Sequence, residues 1–438
     1  MFQTLLNAFK IKEVRRKILI TIALLFVYRI GCYIPVPGVE VFSSLQGAEE
    51  GKFTFLQIMS AVSGGALTYG TFFAMGIGPY INASIIVQLL SVGIPALERL
   101  SKQGEEGKRK LNNITRIITF ILAIIQAIGI ISAFSADIQF NKLFGDEGFV
   151  KFLSYAFLVL VYTAGACLTM WIGERITDYG VSNGISMLIF AGILSTAGTS
   201  ILTVLKSAFG GDATSWWVFV GFVAVAILIF AGIVTVNDAE RKIPVQYAKQ
   251  VKGRKMYGGQ SSHIPLKVNA SGVLPIIFAT AIITFPNLIM QLCGYTAESG
   301  WFAKFYYEYI GAGGVIYSIL VGVLILFFSY FYAQMQFSPT DVSLNIQQQG
   351  GFIPGIRPGK PTTEYLTKVS KRITLFGAIF LAFIAIVPSI VFNYVAGGSL
   401  GLINAFTATG MLIVVSVAIE LNTQLEAQLM MKRHKNIL

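Results

Sequence analysis

The chemistry available to this chain is limited by a small set of reactive side chains. Residues 180–184 read GVSNG, the G-x-S-x-G spacing of a nucleophile elbow, in which a strand-to-helix turn would present Ser182 to a histidine base. Only two histidines exist, His263 in a polar loop and His434 in the tail, and GVSNG stands at a helix entrance rather than after a strand. In GIRPGKP, three residues separate Gly355 from Gly359 where a P-loop needs four, and Pro361 stands where a hydroxyl would hold magnesium. The sequence contains no HExxH and no His, Cys or carboxylate cluster at metal-ligand spacing. The expectation is a protein without a catalytic residue, metal or cofactor.

What remains is apolar, and its arrangement carries the information. Of 438 residues, 55% are hydrophobic and 12% charged, the balance of a membrane protein. Runs of the ~20 apolar residues that take a helix across a ~30 Å hydrocarbon core fall at 18–35, 74–96, 117–136, 152–172, 184–205, 216–236, 272–293, 314–334, 373–392 and 403–424. No alternating strand pattern competes with them, and a bilayer admits only helices or closed barrels because unpaired backbone groups find no water there. The predicted fold is an all-α bundle of ten transmembrane helices.

Ten spans put both termini on one side. There, 27 of the 33 Lys and Arg residues gather: in the N-terminal segment, the 98–116 loop, Arg175, the loops 237–271 and 335–372, and the tail. The opposite loops hold Lys52, Lys142, Lys151, Lys206 and Lys304, and Arg29 stands inside the first span. Cationic loops stay cytoplasmic, so both termini are expected in the cytoplasm. The net charge of +12 is thereby concentrated on one face, suited to anionic headgroups or to an acidic or nucleic-acid-bearing partner. Phe2, Leu5, Leu6 and Phe9 fall on one side of a helix expected to lie on the membrane. YIPVPG follows the first span with no small-residue cleavage site, so that span is expected to be retained. Cys32, Cys167 and Cys293 fall in or beside spans, which argues against a disulfide framework.

Several segments are poor lipid-facing helices. FTFLQIMSAVSGGALTYG, 53–70, is too short and too rich in Gly and Ser to span, yet too apolar for an outer loop. It reads as a re-entrant half-helix, which is tolerated at membrane depth only against protein or a water-filled cavity. Pro79 and Pro275 interrupt the starts of two spans, as in helices that line a path. Away from span ends, Arg29 and Glu420 are the exceptional ionisable residues, whereas proton-coupled transporters bury such groups at the midplane. The expected path is neutral and aliphatic. A secondary transporter of a small solute, using neutral sodium sites, is the alternative; a membrane scaffold would need neither broken helices nor a re-entrant segment.

The motifs YRIGCYIPVPG (28–38), SGGAL (63–67), PYINASIIVQLL (79–90), GERIT (173–177), GVSNGIS (180–186), QYAKQVKGRKMYGGQSSHIPLKVNASGVLPIIFA (246–279) and FIPGIRPGKPT (352–362) occur in order between the spans. Together they resemble the SecY family, the channel subunits of the bacterial protein-secretion translocon, essentially end to end. The resemblance implies a cell-membrane channel that passes unfolded polypeptides and releases apolar helices sideways into lipid. Two inverted, pseudo-symmetric halves, 1–205 and 206–438, would enclose a central pore.

The pore ring implied is Ile77, Ile81, Ile185, Ile189, Ile277 and Ile413. The 53–70 segment would be a plug helix carrying Phe55, Ile58, Met59, Ser63, Gly64, Gly65 and Leu67. A lateral gate between spans 2 and 3 and spans 7 and 8 would use Gln88, Gln126 and Asn269. Arg241, Lys242, Lys249, Arg254, Lys255 and Arg357 would engage the SecA motor ATPase or the ribosome. Prolines on both sides restrict the loop that projects Arg357. The implied partners further include SecE, SecG, signal sequences, nascent polypeptides and membrane lipids. One departure stands out: SPTDVSLNIQQQG, 338–350, has no Lys or Arg where the family often carries charge, which predicts a weaker motor contact there.

Overall fold

The computed structural model describes residues 2–39, 60, 63–134, 138–139, 148–209, 213–247, 250–252, 255–257, 261–269, 272, 274–292, 300–301, 305–306, 315–396 and 408–435. In chain order the helices are α1 (Phe2–Lys10), α2 (Lys12–Gly31), α3 (Gly78–Gly93), α4 (Pro95–Lys102), α5 (Gly104–Ala133), α6 (Gly148–Tyr179), α7 (Gly184–Phe209) and α8 (Ala213–Asp238). Four strands follow, β1 (Glu240–Tyr247), β2 (Gln250–Lys252), β3 (Lys255–Tyr257) and β4 (Ser261–Lys267), and then α9 (Leu274–Leu292), α10 (Val315–Gln336) and α11 (Pro339–Gln348). Strand β5 (Gly351–Phe352), α12 (Lys360–Ala396) and α13 (Ala408–Lys435) complete the order.

Ten of these helices, α2, α3, α5 to α10, α12 and α13, coincide with the ten apolar runs. Among the described residues five of them are alone long and apolar enough to cross a membrane, or six if the bent α3–α4 pair is one span. The helix boundaries follow local chemistry. Helix α3 starts with Pro79 in its first turn, so residues 74–77 of the expected span are turns instead. Ile94 is extended, as the residue before Pro95 must be, and α4 departs from α3 at 105°. Ser338 caps α11 by accepting from the Asp341 backbone at 3.4 Å. Leu6 and Phe9 of α1 are exposed, while Ala8 packs with Val181 and Leu425.

Three apolar cores hold the bundle. One lies among residues 36–166 and includes Leu67, Ile131, Phe134, Leu158 and Tyr162. A second joins α8, α9, α10, α12 and α13, and takes in Ile85 of α3. The third contains residues of α2, α3, α6, α7, α9 and α13. Bidentate hydrogen bonds from Arg116 to Glu174, 2.7 and 2.9 Å, clamp α5 to α6 and account for the acid in GERIT.

A small sheet was not legible as strand in the sequence. In it β1 lies between β4 and β5, antiparallel to both, with Ile243 opposite Ile264 and Gln246 opposite Phe352. Pro244 reads against a central strand. It is accommodated because β5 pairs only with Gln246 and Tyr247, leaving β1 an edge at Pro244.

Candidate functional site

The six isoleucines implied as a ring come from four helices: Ile77 as the residue preceding α3 and Ile81 within it, Ile185 and Ile189 on α7, Ile277 on α9, and Ile413 on α13. All six belong to one packed cluster with Tyr28, Ala66 and Phe73. Spacing of four residues puts each of the pairs 77/81 and 185/189 on one helical face. Ile77, Ile189 and Ile413 are buried, whereas Ile81, Ile185 and Ile277 are half-buried. A glycine allows the close approach of α7 to α6: a Cβ on Gly184 would stand 1.9 Å from the Gly173 carbonyl.

The GVSNG turn sets the start of α7. Gly184 N–H donates to Thr177 at 2.9 Å, Ile185 N–H to Asn183 at 3.0 Å and Val181 N–H to Thr21 at 3.3 Å. Ser182 is buried with its hydroxyl unpaired among the described residues, and His263 is on β4. The turn positions α7, and among the described residues no hydrogen-bond partner is found for the Ser182 hydroxyl.

Of the expected plug, Phe55, Ile58 and Met59 lie outside the described residues. Residues 63–70 are hydrogen-bonded turns, not the helix expected over 53–70. Positive φ at Gly64 (72°), Gly65 (85°) and Gly70 (55°) is incompatible with helix and explains the glycines of this segment. The Ser63 hydroxyl donates to the Ser60 carbonyl at 3.0 Å and accepts from Leu67 N–H at 3.4 Å. Leu67 is wholly buried in the first core, and Ala66 packs in the cluster of the six isoleucines. The Tyr28 hydroxyl and Cys32 thiol both reach the Ser63 carbonyl, at 3.4 and 3.7 Å, and the Tyr162 hydroxyl reaches the Gly70 carbonyl at 3.4 Å.

The three amides expected at a lateral gate separate. Gln88 on α3 accepts a hydrogen bond from the Tyr332 hydroxyl on α10. Gln126 is buried on α5, which packs against α9, and its side-chain oxygen has no partner among the described residues. Asn269 donates instead to Asn237 at 2.7 Å, and Asn237 donates to Ser416 at 3.0 Å, a chain that runs to α8 and α13. Tyr332 was missed in the sequence, where it reads as one more aromatic of an apolar span.

The loops expected to dock partners form one folded unit. Ile243, Val245, Leu266, Ile346, Ile353 and Leu366 make a common core beneath the sheet. Arg241, Lys242 and Arg357 are exposed on it, Lys242 with Glu240 at 3.1 Å. The Arg357 carbonyl accepts from Thr362 at 2.9 Å and the Gly359 carbonyl from Ser343 at 3.1 Å, so the loop is pinned at Arg357 and just after it. Lys249 and Arg254 lie outside the described residues, and Lys255 is placed on β3. The stretch without Lys or Arg before this loop forms α11, held by Ile346 in the common core.

The helical bundle thus gathers six isoleucines from four helices into one apolar cluster, with Ala66 of a glycine-rich segment packed in it. The SecY family model matches residues 71–422, and the chain belongs to that family. The protein translocase subunit SecY of Staphylococcus epidermidis is 42% identical over 445 residues, covering 99% of each chain. That of Streptomyces galbus is 39% identical over 440 residues, 99% of this chain and 98% of its own. Two solved structures share the fold: one of a protein conducting channel (TM-score 0.66, 19% identity) and Sec61 in a canine ribosome-channel complex (TM-score 0.62, 17% identity), each covering 94% of this chain and 92% of its own. The chain is a multi-pass membrane protein.

Proposed function

We propose that this chain is the protein-conducting subunit of a bacterial secretory translocon, with the six isoleucines as its constriction and residues 53–70 as its plug. The observation that carries the reading is the convergence of Ile77, Ile81, Ile185, Ile189, Ile277 and Ile413 on one cluster that also holds Ala66. A narrow collar of branched aliphatic side chains dewets and so blocks ions. It also offers no hydrogen bonds to recognise, so any unfolded segment can part it and none is held. The small-solute alternative draws no support from the relatives, which are protein translocase subunits.

The halves 1–205 and 206–438 would hinge apart, the seam opening where Gln88 meets Tyr332. Interhelical hydrogen bonds in a membrane contribute only about 0.6–2 kcal/mol, weak enough for an inserting apolar helix to displace. The loops 237–271 and 335–372, with Arg241, Lys242 and Arg357, face the cytoplasm together with both termini, and α1 lies on the membrane surface. The cationic unit serves the SecA motor or the ribosome, to whose RNA it would bind through phosphate contacts. SecE and SecG complete the complex. Energy enters from outside the chain, through the motor, the ribosome or the membrane potential.

The test is site-specific photocrosslinking of an arrested translocating chain in the assembled complex. Crosslinkers at positions 81, 277 and 413 should capture the polypeptide, and crosslinkers at lipid-exposed positions 319 and 379 should not. Equal capture at both sets would refute the assignment of the constriction.

A further inference from the structure

Arg29 is a cation inside the first span, near its outer end in the proposed orientation, where a charge is costly unless it has a task. Among the described residues its guanidinium hydrogen-bonds neutral oxygens: the Gly64 carbonyl at 3.4 Å, the Tyr33 hydroxyl at 3.2 Å and the Ser195 hydroxyl. It also lies 5.3 Å from the Tyr33 ring centroid. Tyr33 follows Arg29 by one turn. Gly64 and Ser195, in contrast, belong to the 60–70 segment and to α7, so the one guanidinium joins three elements.

The segment is shaped to receive it. A Cβ on Gly64 would stand 2.3 Å from the Arg29 terminal nitrogen and 3.2 Å from the Gly192 Cα of α7, and its φ of 72° already disfavours any side chain. Gly64 is thus wedged between α2 and α7 with its carbonyl turned to the guanidinium. Tyr28 and Cys32, on the same stretch of chain as Arg29, take the neighbouring Ser63 carbonyl. A fork of donors fixed by charge and planarity holds such acceptors better than an ammonium can.

We infer that Arg29 is a positioning residue that latches the plug shut, bridging the Gly64 carbonyl to Ser195 on α7 so that the channel rests closed. The inference rests on the proposed reading of this segment as a plug. Opening must break the Gly64 bond, and the latch therefore sets how often the seal lifts without a substrate.

Cys32 gives a native reporter, since it is 2% exposed beneath Ser63. In the reconstituted full complex, with Cys167 and Cys293 replaced by serine, a membrane-impermeant maleimide added from the outer side reads plug displacement at rest. Losing a hydrogen bond to a charged group should raise the labelling rate of Arg29→Gln about tenfold. Arg29→Lys, which keeps the charge without the fork, should fall between that and the parent, and Ser195→Ala should show a smaller rise. The thermal midpoint of the complex should not move, which separates a latch from a general structural role. Deletion of residues 63–67 is the reference for an absent plug.

If Arg29→Gln and Ser195→Ala both label at the parental rate while the deletion labels fast, the latch is wrong and the plug reading survives. If the deletion also labels at the parental rate, the plug reading fails and the latch with it. Should Arg29→Gln not accumulate, Ser195→Ala decides: a rise supports the latch and no rise overturns it.

Discussion

The Tyr332 hydroxyl on α10 donates to the side-chain oxygen of Gln88 on α3, across 244 residues of sequence. Neither side chain has a charge, so the bond is directional yet easily exchanged. Ile85, one turn before Gln88, sits in the core built by α8 to α10, α12 and α13. Among the described residues this contact therefore combines apolar packing at Ile85 with the Tyr332–Gln88 hydrogen bond.

Tyr332→Phe removes the donor and leaves the packing. The closed seam should weaken by about 1 kcal/mol, and a substrate with a defective signal sequence should be translocated several-fold faster by vesicles carrying the variant. An unchanged dependence on the signal sequence would mean that the bond does not restrain opening.

Deleting part of the collar should let water through. Ile81→Gly with Ile277→Gly removes two branched side chains from the constriction, and resting ion conductance in planar bilayers should rise. Leu90→Gly with Ile282→Gly removes exposed side chains from the same two helices and should not raise it. Equal leaks from both double variants would remove the collar from the mechanism.

The docking unit depends on its own core. Leu366 is wholly buried there, and Leu366→Ala should cost about 2–5 kcal/mol through lost contacts and a cavity. Faster proteolysis of the loops 237–271 and 335–372, with the membrane helices left protected, is the expected result. Parental cleavage rates would show that the two loops do not depend on this core.

Arg357→Glu tests the tip of that unit. The side chain is exposed and its loop is held by backbone contacts to Thr362 and Ser343, so insertion and folding should be unaffected. Motor-driven translocation should be lost. Normal translocation at saturating motor would assign Arg357 to the surface alone.

Legibility in the sequence followed the range of the forces involved. The spans could be read because each buries its backbone within itself, so length and apolarity suffice. The start of α3 could be traced to Pro79, which acts on its immediate neighbours, whereas Pro95 fell inside the expected 74–96 run and its break was not read. The collar residues were reached through resemblance; periodicity alone does not distinguish Ile413 from any other isoleucine of α13.

Long-range polar pairings were out of reach. Arg29 reads as a stray charge until Gly64 and Ser195 are beside it, 35 and 166 residues away. Asn269 was expected as a gate amide, but its bond to Asn237 could not be read from the sequence. The turns at 63–70 replaced an expected helix because the positive φ of Gly64 and Gly65 stops one. Strand β1 hid behind Pro244, which only the shortness of β5 permits.

Polypeptide conduction by this chain can be measured directly. The direct measurement is uptake by proteoliposomes containing the purified complex, with motor and ATP, of a presecretory protein and, in parallel, of small solutes. Protease-protected presecretory protein should appear in a motor-dependent manner, with no accumulation of solute. Accumulation of a small solute down a sodium gradient, with no protected polypeptide, would contradict polypeptide conduction.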